Sequence, residues 1–183
     1  MTGGHLALSA LLPGAGQLLR GEWVSGMLIA ITWSMLLGLA FISSTQIGAI
    51  SERRVAMLVD TVASRLPPFL TAEPGLNSGM MLAQITAASL VSESRILAHP
   101  ASVDSIPTGA SKEDHVSMGV SSALKARRVL QNLETVLGIE LMCAAQGLEF
   151  LKPLHPGVGV ERAYRAVRER IPPLDRDRVL APD

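Results

Sequence analysis

Four ionisable side chains stand in a row in ASKEDHVSMG, residues 110 to 119: Lys112, Glu113, Asp114 and His115. A carboxylate in such company can exchange protons, pair with a charged ligand or cap a helix. The segment lies between a proline-containing loop and a long helical pattern. Negative charge there is stabilised by the helix dipole and by free backbone N–H groups. One of Glu113 and Asp114 can cap the helix while the other points elsewhere, and the pattern alone leaves both readings open.

The other chemistry-bearing residues form no comparable group. His5, His99, His115 and His155 show no HExxH or similar ligand spacing, so no metal site is expected. Cys143, the single cysteine, excludes an internal disulfide and reads as a small packed residue. Lys125, Arg127 and Arg128 fall within the helical pattern and read as a solvated or ion-paired face. Lys plus Arg equal Asp plus Glu at 16 each, and aromatics are 3% of residues, which removes both the basic field and the stacking platforms of nucleic acid binders. A cytoplasmic, reducing location is the default.

The elements that must position these residues read as helices throughout. Residues 23 to 50 carry no charge, and 23–42 are apolar enough to be either a buried helix or a membrane span, the latter giving a membrane-associated protein. Charges return at Glu52, Arg53 and Arg54, and that helix is expected to stop before Pro67-Pro68. Asn77 or Ser78 can cap the next helix, which ends before His99-Pro100. The loop that follows is long for a connector, and such loops are often functional. Asp114 can cap the longest helix, Val116 to Leu151, whose apolar residues include Val120, Leu124, Leu130, Leu137 and Leu141. About 36 residues at 1.5 Å each span roughly 54 Å, too long for so small a chain to cover, so its apolar face is expected to meet other subunits. A shorter amphipathic helix follows at VERAYRAVRERI. No strand-like alternation appears, and the fold is expected to be all-α.

GLNSGMMLAQITAASLVSESRILAHPASVDSIPTGASKEDHVSMG, residues 75 to 119, closely resembles histidine ammonia-lyases of the aromatic amino acid lyase superfamily. The likeness runs upstream through IGAISERRVAMLVD and downstream through LETVLGIELMCAAQGLEFLKPL to DRDRVLAPD, residues 47 to 183. It implies an α-helical homotetramer built on a bundle of long helices. It also implies elimination of ammonia from L-histidine to give trans-urocanate, using a methylidene-imidazolone electrophile formed from Ala-Ser-Gly. Glu113 matches the catalytic, substrate-binding glutamate that meets the imidazole; phenylalanine-directed members carry glutamine there. Met80 stands where the family has phenylalanine at the active-site wall. Lys112 replaces a residue that is usually glutamine or threonine, placing a possible modifying charge beside Glu113.

Two departures limit what the resemblance implies. Residues 1–45 form an apolar leader that does not match, with GMLI near Gly26 to Ile29 where the family has GGNFH, so 46–183 is the expected lyase-like region. Residues 1–183 also contain no Ala-Ser-Gly, and they lack the tyrosine loop and the carboxylate-binding arginine segment of the family. The chain is therefore expected to resemble a C-terminal lyase portion that is inactive alone and needs a complementary N-terminal chain. The alternative is a non-catalytic helical oligomerisation module, anchored to a membrane through 23–42.

Overall fold

A computed structural model describes residues 23–183 apart from Ser111 and Asp114, so expectations on His5 and on the rest of residues 1–22 lie outside it. The described residues are helical with no strand, as the periodicity predicts. The first helix, α1 (Trp23–Val59), is 37 residues long. The chain divides into two compact units, Met1–Ser43 and Ser44–Asp183. In the first, Leu28, Ile31, Met35, Leu36, Leu39 and Ile42 are exposed. Among the described residues no helix is long and apolar enough to cross a membrane. The run at 23–42 is no separate element: it continues as one helix into Glu52, Arg53 and Arg54, and several of its side chains lie outside the described set.

The second unit continues with α2 (Thr61–Ser64), a tight turn at Pro68–Leu70, α3 (Met81–Leu97), a turn at Ala101–Asp104, α4 (Gly119–Glu149) and α5 (Val158–Arg168). The helix expected to reach Pro67 breaks earlier, at Asp60. The Asp60 carboxylate accepts the Val62 N–H at 2.8 Å and restarts the chain as α2, which ends on Arg65 with left-handed backbone. The helix expected to be the longest has 31 residues against 37 for α1, and it begins at Gly119 rather than Val116, with Met118 preceding it and no side-chain cap. Asp114, expected to cap it, is outside the described residues.

The core of this unit is made by the end of α1, by α3 and by α4, with Leu70, Met80 and Leu174 closing its edge. On α3 the buried residues Ala83, Ala87, Val91 and Ser94 are small and spaced by four or three, which brings its backbone close to α4. On α4 the buried positions include Val129, Asn132, Val136, Ile139, Cys143 and Gln146, which alternate three- and four-residue steps as a packed helical seam does, with Met142, Ala145 and Gly147 also buried near its C-terminal end. Of the leucines that mark the apolar pattern in the sequence, Leu130, Leu137 and Leu141 share a different face, and these and Leu124 are exposed. The helix thus has an inner seam used within the chain and an outer apolar face that the chain leaves open. Burial pushes the Cys143 thiol up to about 12, so it is a packed, protonated group on the inner seam.

Gln146 joins that seam to the rest of the unit. Its amide nitrogen donates to the Leu70 and Leu174 carbonyls at 3.4 and 3.0 Å, and its oxygen accepts the Leu174 N–H at 3.0 Å and an Arg168 guanidinium N–H at 3.3 Å. One turn on, Glu149 accepts from Lys152 Nζ at 2.6 Å, Tyr164 Oη at 2.7 Å and Arg168 Nε at 2.8 Å. Arg168 also lies over the Tyr164 ring, 5.6 Å from its centre. Burial alone would raise the Glu149 carboxyl, but hydrogen bonds from Lys152, Tyr164 and Arg168, and the Arg168 charge, hold it down at about 2.

The sign of the resulting pH dependence follows from that depression. Glu149 contributes stability fully above its ordinary value of 4.5 and loses it as pH falls toward about 2. Glu149→Gln should therefore cost on the order of 2 to 3 kcal/mol at neutral pH, with the difference from wild type shrinking toward zero near pH 2. Urea unfolding of both proteins across that range measures it, and a pH-independent difference would refute the assignment.

Candidate functional site

The loop between α3 and α4 is kept out of helix by Pro100 and Pro107 and closed by its own polar groups. At its base the Ser105 hydroxyl oxygen accepts the Val116 N–H at 2.8 Å. Nearer the tip Thr108 and Glu113 exchange both backbone hydrogen bonds, Thr108 N–H to Glu113 O at 3.0 Å and Glu113 N–H to Thr108 O at 3.2 Å. The turn between them needs left-handed backbone at Gly109 and Ala110, and the Lys112 N–H closes back on the Gly109 carbonyl at 3.2 Å. Lys125 from α4 donates to the His99 carbonyl, fixing the other end of the loop.

Residues facing each other across such a pair project to the same side, and the Thr108 hydroxyl accordingly donates to Glu113 Oε2 at 3.2 Å. Glu113 Oε1 has no hydrogen-bond partner among the described residues, and the side chain is exposed. Lys112 lies in the turn and forms no ion pair with Glu113 among the described residues. Any effect of Lys112 on Glu113 is then one of field rather than contact. His115 is exposed, and no group of three His, Cys, Asp or Glu able to hold a metal occurs among the described residues. Of the basic group on α4, Arg128 pairs with Glu93 at 3.2 Å, as expected of an ion-paired face.

Met80 occupies a different setting. It is 2% exposed and packs in the core cluster. Its N–H reaches the Phe69 carbonyl at 2.8 Å, and this close approach explains Gly79. A side chain on Gly79 would stand 2.4 Å from that same carbonyl oxygen, on backbone already left-handed.

Neither Asn77 nor Ser78 caps α3, which begins after Met80 with no side-chain cap, and the turn before it is held from elsewhere. The Asp177 carboxylate, nearly a hundred positions downstream, accepts the Ser78 N–H at 2.7 Å and the Gly79 N–H at 2.9 Å. Asn77 Oδ1 returns the contact by accepting the Asp177 N–H at 3.2 Å. These two backbone N–H bonds hold the Asp177 carboxyl below its ordinary value. Neither Thr108 nor Asp177 stands out in the sequence as a functional position. The TG pair at 108–109 is the one local signal for the first, as a turn opener; the second has none, because it acts across the fold.

Asp177→Asn should loosen this junction. Its folded value is depressed, so its contribution is present above the ordinary carboxylate range and fades as pH falls through the lowered value. Amide hydrogen exchange at Ser78 and Gly79 should speed up in the variant at neutral pH, and unchanged exchange would show that the bonds contribute nothing.

Comparison with known proteins extends this picture. The family model for aromatic amino acid lyases matches residues 25–169, a span that takes in part of the 1–45 segment expected to lie outside the family. Histidine ammonia-lyase of Caldanaerobacter subterraneus subsp. tengcongensis is 52% identical over 170 residues, covering 93% of this chain and 33% of that protein. The crystal structure of histidine ammonia-lyase from Trypanosoma cruzi superposes with a TM-score of 0.76 at 47% identity, covering 80% of this chain and 29% of that one. Tyrosine aminomutase from Streptomyces globisporus gives 0.72 at 37% identity, covering 79% and 28%. The chain thus spans about a third of the length of the curated relatives it matches.

Proposed function

The chain belongs to the aromatic amino acid lyase family, and we propose that these 183 residues supply the imidazole-binding wall and part of the helical scaffold of a histidine ammonia-lyase acting on L-histidine. The observation that carries this reading is the Glu113 carboxylate, presented on an exposed, closed loop with Oε1 unengaged among the described residues. A carboxylate so placed accepts a hydrogen bond from an imidazole N–H, opposes positive charge on the ring and can take up a proton. Glutamine, found at this position in phenylalanine-directed relatives, offers no charge. Met80 contributes from behind, by fixing the start of α3.

The methylidene-imidazolone of the family does not fit the residues present, because residues 1–183 contain no Ala-Ser-Gly. The electrophile must come from outside them. Purified chain alone should give no ultraviolet-absorbing urocanate from L-histidine above a Glu113→Gln control. Adding a lyase polypeptide that carries Ala-Ser-Gly should restore turnover, and Glu113→Gln should lower it about tenfold or more. Urocanate formed by the chain alone would defeat the proposal of a divided site.

We also propose a homotetramer, supported by the exposed face of α4 at Leu130, Leu137 and Leu141. A membrane-anchored module is not pursued, since no spanning helix occurs among the described residues. Sedimentation velocity of the 19.4 kDa chain should give a mass near four copies, and Leu137→Glu should shift it toward smaller species. A monomer at micromolar concentration in the wild type would count against the tetramer.

A further inference from the structure

We infer that Thr108 is a positioning residue for Glu113, its hydroxyl holding Oε2 so that Oε1 is aimed at an incoming imidazole N–H. This rests on the reading of Glu113 as the imidazole contact. A glutamate side chain on an exposed loop has three rotatable bonds, and an unrestrained carboxylate spends little time in any one orientation. Here the backbone pair between Thr108 and Glu113 sets both side chains on one side of the turn, and the hydroxyl closes a third bond onto the carboxylate at 3.2 Å. The hydroxyl has one proton to donate, so it occupies one carboxylate oxygen and leaves the other open. Left-handed backbone at Gly109 and Ala110 makes the turn tight enough for this contact.

Glu113 therefore meets a ligand with part of its orientational entropy already removed. Thr108→Val keeps the branched shape and removes the donor, whereas Thr108→Ser keeps the donor. Imidazole titrated into the full-length chain, followed by the amide chemical shifts of the 105–118 loop, reads the effect directly. Thr108→Val should weaken Glu113-dependent binding about threefold or more, the scale of one modest hydrogen bond, and Thr108→Ser should restore it. Added to Glu113→Gln, Thr108→Val should have no further effect. Retained amide exchange protection at Glu113 in Thr108→Val would show that the backbone pair survives. If Thr108→Val binds as the wild type while Glu113→Gln is weakened, the positioning role is wrong and the reading of Glu113 stands. If no binding depends on Glu113, both are wrong.

Discussion

The second unit hangs on a single amide. Gln146 is buried on the inner seam of α4 and hydrogen-bonds two separate segments, the Pro68–Leu70 turn through Leu70 and the C-terminal segment through Leu174. Both segments are irregular, and each would otherwise bury backbone groups without partners. A polar side chain inside an apolar seam is tolerated because all of its capacity is used, and the same saturation makes the arrangement specific. Glu149 and Arg168 extend the network to α5, so helix, turn, tail and terminal helix are fixed relative to one another from one stretch of α4.

From that anchor the rest of the loop architecture follows. Leu174 held at Gln146 brings the tail back across the fold, which lets Asp177 reach Ser78 and Gly79 and set the start of α3. Helix α3 in turn packs its small residues against α4, and Asn132 ties the two with bonds to Glu93 and Ser94 at 2.7 and 3.2 Å. The loop bearing Glu113 is strung between the far ends of these two helices. Its rigidity is local, from Ser105, Thr108 and the left-handed turn, but its position is inherited from the α3 and α4 packing.

The outer face of α4 is the complementary feature. A helix of 31 residues with Leu130, Leu137 and Leu141 on one side and a packed seam on another has two apolar surfaces, and the described residues cover one. Exposure of that size is costly for an isolated chain and ordinary for one strand of a larger helical assembly. On the exposed loop, Glu113 Oε2 is engaged by Thr108 while Oε1 has no partner among the described residues.

The all-α class, the helix order and the long loop were legible in the sequence, because periodicity and proline placement act through neighbours along the chain. Glu113 was singled out through resemblance to a family motif. The inner seam of α4 was not legible: it carries Asn132, Cys143 and Gln146 among its apolar residues, and it lies apart from the leucines expected to meet other subunits. Nor were the Asp177 bonds to the turn before α3, the burial of Met80 or the hydroxyl bond from Thr108. Each depends on which distant segments meet. The sequence by itself set which stretches become helices and which residue carries the carboxylate. Only tertiary structure decided which helix face is inside and which oxygen of that carboxylate is engaged, since burial and hydrogen bonding are properties of pairs brought together in space.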